Sequence, residues 1–134
     1  MEAPDKWLYE YSVVKYVPRP ERGECINIGL VMLNKRLKWM KGRILLDASK
    51  LAAFNPNVDL KMLEKQSLLF EKTDVPSADL PIEEKYRWLT AVKSAAIRVS
   101  PSHPGIACTE EKEGKPYETV MEEEFGRLFS LLIE

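Results

Sequence analysis

Side chains able to do chemistry gather in two stretches of this chain. The first is the turn Arg22-Gly23-Glu24 and the strand it opens into, which carries Asn27 between two isoleucines. The second runs from Arg87 through Lys93 and Ser94 to Ser100-Pro101-Ser102-His103-Pro104-Gly105. A carboxylate, an amide, a lysine, serines and a histidine are groups that acid–base or nucleophilic catalysis draws on. Each also has a plain structural use. Glu24 can fasten its own loop by accepting from Arg19 or Arg22, and Asn27 can tie backbone. His103 before Pro-Gly fits a turn, and no serine stands in a nucleophile-elbow pattern. Pairing His103 with Ser94, Ser100 or Ser102 is therefore the weaker reading, and no catalytic residue is assigned.

Other chemistries lack their spacing. One histidine and two distant cysteines give no paired zinc-ligand pattern, so no metal site is assigned. Gly23 and Gly29 fit neither a phosphate-cradling loop nor a dinucleotide fingerprint, and no cofactor is implied. What remains is a polar cleft. Glu24 and Asn27 sit beside an apolar strand, where an unpaired carboxylate is costly, so a cation from Arg22, Arg87 or Lys93 is expected near Glu24. The two stretches are expected to meet at one end of the sheet. The candidate ligand-binding residues are Arg22, Glu24, Asn27, Arg87, Lys93, Ser94, Ser100 and His103.

Positioning them requires a sheet. Trp7 to Val17 alternates Trp7, Tyr9, Tyr11 and Val13 against Leu8, Glu10, Ser12 and Val14, the period of a strand, and Pro18 ends it. The next strand is apolar on both sides, with Ile26, Ile28, Leu30 and Met32 predicted on one face and Asn27, Val31 and Leu33 on the other; it reads as central. A polar turn over 34–38 leads to a third strand, Trp39 to Leu46. Short connections make these three an antiparallel meander. Asp47 caps a helix over 48–54, and Asn55-Pro56-Asn57 stops it. A second helix from Asp59 carries Leu60, Leu63, Ser67 and Phe70 on one stripe. Pro81 starts a third, with Ile82, Tyr86 and Leu89 in line. Residues 96–99 read as a strand, 100–105 as a turn-rich loop, and 106–108 as a short extended piece. The last helix, Pro116 to Leu132, aligns Tyr117, Met121, Phe125, Leu128, Phe129 and Leu132. The fold class is α+β: an antiparallel sheet begun by the three-stranded meander and covered by three or four helices, the C-terminal one amphipathic.

The 134 residues, 45% hydrophobic and 31% charged, suit one soluble domain over 1–134. The acidic start lacks a signal-peptide core and no apolar run spans a bilayer, so a cytoplasmic setting without membrane contact is expected. Cys25 and Cys108 then read as reduced, buried thiols. Charge is uneven. Residues 15–43 hold eight basic against two acidic residues, while 110–124 hold seven glutamates against two lysines. The basic stretch offers an anion or nucleic-acid surface; the favoured reading is two solvated faces that can face each other.

Several segments together resemble the bacterial domain-of-unknown-function family numbered 3037. They are Tyr9-Glu10-Tyr11-Ser12-Val13-Val14, Val17-Pro18, Arg22-Gly23-Glu24 with Asn27-Ile28-Gly29-Leu30-Val31, Arg87-Trp88-Leu89-Thr90-Ala91, Ser94, Ser100 to Gly105, and Phe125 to Leu132. Where the family pattern has Pro-Arg-Ser, this chain has Val92-Lys93-Ser94, which keeps a charge but loses the guanidinium fork. The resemblance implies a small bacterial protein of the cytosol, often encoded beside a HipA-type kinase-like protein. It implies an interaction or ligand-binding module acting with a protein partner. The alternatives are an anion- or nucleic-acid-binding protein using residues 15–43, and an enzyme using Glu24, Asn27, Lys93, Ser94 and His103.

Overall fold

Residues 7–72, 80–91, 96–107 and 116–134 are described by the computed structural model. The alternating aromatic and β-branched run forms β1 (Leu8–Tyr16), and the apolar run after the charged turn forms β2 (Ile26–Asn34). Buried Asn34 closes the next turn by accepting the Leu37 N–H at 3.0 Å, and β3 (Trp39–Ile44) returns beside β2. Both pairings are antiparallel, so the meander is present. Two short strands share the other edge of β1: β4 (Ile97–Val99) lies along Val14–Tyr16, and β5 (His103–Ile106) lies along Leu8–Tyr11. β5 corrects the expectation of a loop over 100–105. Its sequence, His-Pro-Gly-Ile, is poor in strand formers, and Pro104 is tolerated because β5 is an edge strand.

Helices cover both faces. The short α1 (Ala48–Phe54), then α2 (Leu60–Lys72) and α3 (Ile82–Thr90), pack on one side; α4 (Tyr117–Leu132) packs on the other. The predicted caps are in place, Asp47 accepting the Lys50 N–H and Asp59 the Met62 N–H, each at 3.1 Å. Leu51, Leu63, Phe70 and Tyr86 are buried on the three-helix side, and Leu89 of α3 is also buried. On the other, Met121, Phe125 and Phe129 meet Tyr9, Val13, Leu30 and Met32. Burying each such side chain contributes about 1.5–3 kcal/mol. Tyr117, expected in that stripe, is 38% exposed at the first turn of α4.

The faces of β2 differ from simple alternation. Val14 pairs with Gly29 but Lys15 pairs with Asn27, so Ile28 is an extra residue in β2. This bulge flips the side-chain parity. Ile26 and Ile28 therefore join Val31 and Leu33 on the three-helix face, while Leu30 and Met32 lie under α4. Cys25, expected buried, is a free and exposed thiol, because deep cover of β2 begins only at Ile28. Cys108 lies outside the described residues.

Candidate functional site

The Ser100–Gly105 segment docks on β1 through most of its residues. Ser100 Oγ accepts the Val13 N–H at 2.9 Å. The His103 ring rests on Tyr11, centroids 5.4 Å apart. Gly105 lies under the Tyr9 ring, where an added Cβ would stand 2.5 Å from the ring, so only glycine admits this approach. Tyr9 itself donates its hydroxyl to the buried Glu124 of α4, which also receives Arg127 through Nε and Nη2, both at 2.8 Å. Burial above all, then the Glu124 bond and charge, raises the Tyr9 phenol above its ordinary range; Arg127 opposes this.

Ser102 belongs to a chain of hydroxyls. Ser12 Oγ lies 2.9 Å from the Tyr86 hydroxyl, which lies 2.9 Å from Ser102 Oγ, which donates to Glu10 Oε1 at 3.3 Å. Each hydroxyl has one proton, and an ionised carboxylate only accepts. Ser102 spends its proton on Glu10, so Tyr86 must donate to Ser102, and Ser12 to Tyr86. The three protons therefore point in file from the sheet interior towards Glu10, each bond polarising the next. Burial raises the Tyr86 phenol, helped by the Glu10 charge and opposed by Ser12, which donates to it.

Glu10 opens onto a cleft of about 390 Å³ lined by Leu8, Tyr9, Glu10, Leu33, Lys35 and Arg36. It forms because the three-helix cover runs out along β1. Ser12 is fully buried, Glu10 half-buried, and Leu8 is 48% exposed. Lys35 stands 3.9 Å from Glu10, a loose and solvent-screened pair. Opposite Leu8 in register is Ile106, 39% exposed, so two apolar side chains stand together on one face beside a charged rim.

Among the described residues, no candidate ligand-binding residue singled out from sequence lines this cleft. Arg22 pairs with Glu24 at 2.7 Å in the exposed turn. The Asn27 amide donates to the Leu132 carbonyl at 3.2 Å, tying β2 to α4. Glu24 and Asn27 line two different small clefts. Arg87 pairs with Glu84 at 3.2 Å within α3, also exposed. Ser100 and His103 serve β1 as above, and Lys93 and Ser94 lie outside the described residues. The two stretches flank β1 from opposite sides, since Asn27 and Arg98 both pair with Lys15. Asn27 and His103, four β1 residues apart, are separated by roughly 16 Å from strand rise and spacing. Among the described residues no hydroxyl bonds to His103. The basic stretch is spread out: Lys41 pairs with Glu122, and Arg43 lies 4.6 Å over the Phe129 ring. In the sequence, Glu10, Ser12 and Tyr86 carry one signal as site residues: Glu10 and Ser12 break an otherwise apolar strand face.

A family model described as a protein of unknown function, DUF3037, matches residues 11–123. The chain belongs to the DUF3037 family. The match takes in both the Tyr11–Val14 segment of β1 and the Ser100–Gly105 segment docked on it, so the junction is made from family sequence. No curated protein and no solved structure matches the chain. Among the described residues no helix is long and apolar enough to cross a membrane.

Proposed function

We propose that this DUF3037 chain is a non-catalytic interaction module that receives a protein partner at the open end of its sheet. The observation that carries this reading is the cleft between Leu8, Glu10 and Leu33–Arg36, with the exposed Leu8/Ile106 pair beside it. A paired apolar surface next to a charged rim is the composition of a recognition patch. Lys35 and Arg36 favour a partner segment that presents an apolar anchor followed by an acidic group. The hydroxyl file holds Glu10 in one orientation, so the rim is fixed before the partner arrives, which lowers the ordering cost of binding. Support for a non-catalytic role comes from His103, seated on Tyr11, and Glu24, paired within its own turn.

The family resemblance favours a HipA-type kinase-like protein as the partner. Co-expression with such a protein encoded beside the chain should give co-elution in size-exclusion chromatography. Leu8→Asp and the pair Lys35→Glu with Arg36→Glu should each abolish it, and since Leu8, Lys35 and Arg36 are exposed, folding should be kept. Co-elution that survives both variants would remove this surface from the account.

A further inference from the structure

At the opposite end of β1 lies a second cleft, independent of the first. The connection leaving β1 and the break between α1 and α2 enclose about 360 Å³. Its apolar lining is Pro18, Phe54 and Pro56, set among the amides of Asn55 and Asn57. They are held in place. Phe54 meets Tyr16 edge to face at 6.4 Å, the Tyr16 hydroxyl accepts from Asn55 Nδ2 at 2.9 Å, and Asn55 Oδ1 accepts the Asn57 N–H at 3.1 Å. Arg19, Arg22 and Glu24 contribute the charged lining. Arg22 directs Nε and Nη2 to the same Glu24 oxygen, at 2.9 and 2.7 Å, so those two charges cancel. Arg19 is exposed and has no side-chain partner among the described residues, which leaves the rim one positive charge in excess.

A slot with an aromatic wall, proline walls and an arginine at its mouth suits a planar ring carrying an anion. Guanidinium groups bind phosphate with two parallel donors, and aromatic and proline faces accept a stacked ring. The volume falls within the range of small-ligand pockets and is too small for an extended polymer. We infer that this cleft binds a mononucleotide-sized ligand, a phosphate borne on an aromatic base. The ring lies against Phe54 and the prolines, and the phosphate meets Arg19. Arg22 is the second donor: an exposed ion pair is only weakly held, so a phosphate can draw Arg22 away from Glu24. Glu24 is then a competitor for Arg22 and a like charge beside the ligand.

This assignment fixes the sign of two substitutions. The chain, labelled with ¹⁵N, is titrated with AMP, adenosine and inorganic phosphate while backbone amide shifts are followed. AMP should produce saturable shifts at Arg19, Arg22, Asn55 and Asn57, and bind at least roughly tenfold more tightly than either fragment alone, since both contacts are then made. Arg19→Gln should weaken AMP binding by roughly tenfold or more, the scale of one lost hydrogen bond to a charged group. Glu24→Gln should tighten it several-fold, by freeing Arg22 and removing a negative charge; a merely structural Arg22–Glu24 pair would not give that sign. Both positions are exposed, so the fold is kept and the wild-type spectrum serves as its check. No saturable shift by millimolar AMP, shifts confined to another surface, or weaker binding in Glu24→Gln would overturn the proposal.

Discussion

Ser12, Tyr86 and Ser102 each hold a proton that has only one place to go, and the file they form ends on the half-buried Glu10. Tyr86→Phe removes the middle member and leaves the fully buried Ser12 hydroxyl without its partner. The cost of such an orphaned group is about 1–3 kcal/mol, to be read from the midpoint of urea unfolding. Ser102→Ala, at the solvent end, should cost less. The tyrosines also set a pH dependence. Tyr9 and Tyr86 both have folded-state pKa values raised above the ordinary 10.0. A group that holds its proton more tightly when folded contributes stability that is complete below its unfolded value and is lost as pH rises through the folded one. Stability should therefore be level up to about pH 10 and decline above it, and Tyr9→Phe should flatten that decline. A decline of equal slope in Tyr9→Phe would show that its phenol is not a source. At this scale the sequence was only partly readable. Glu10 and Ser12 interrupt a strand face that alternation alone does not single out, and their partner Tyr86 lies far along the chain in a stripe with Ile82 and Leu89.

Individual elements were the most legible part of the chain, and their exceptions have definite causes. Asp47 and Asp59 announced their helices because a cap needs only local geometry. The bulge at Ile28 was hidden: period-two alternation in β2 is intact in the sequence, and the slip shows only once Lys15 is known to face Asn27. β5 was hidden by composition, since Pro104 and Gly105 read as a turn, and their strand state depends on the edge that β1 provides. Glycine 42 of β3 marks where α2 comes closest. A Cβ there would stand 2.2 Å from the Phe70 carbonyl oxygen, a backbone atom that cannot turn aside. Gly42→Ala should cost at least about 1–3 kcal/mol and push the end of α2 off the sheet. Hydrogen exchange would show this as faster loss of protection around Phe70 than in α4. Uniform destabilisation with α2 and α4 exchanging alike would place the strain elsewhere.

Taken whole, the molecule is a central pair of strands, β1 and β2, buried under α4 on one face and α1–α3 on the other, with a cleft at each end of β1. The three-helix cover stops at Ser12, so the far end of that face keeps Leu8 and Ile106 in solvent. The β3-β2-β1 meander follows from patterning and short connections, while the seat of β4 and β5 on the other edge of β1 does not. Which cleft forms, and which polar residues line it, follows from where the cover ends, and that depends on how α3 seats Tyr86 against Ser12. Glu24 lines the cleft at the Tyr16 end of β1 and Asn27 another, while His103 lines neither, so among the described residues the two stretches stay apart. Opposite charges do meet across the molecule at Lys41 and Glu122, on the sheet side facing α4, away from the proposed docking end. The claim that the open end is the docking surface is tested most directly by amide hydrogen exchange of the chain alone and in complex with its co-eluting partner. The account predicts new protection at Leu8–Glu10 and Leu33–Arg36, with little change along α4. Protection confined to the outward side of α4, around Glu123, Gly126 and Ser130, with Leu8–Glu10 unchanged, would contradict it.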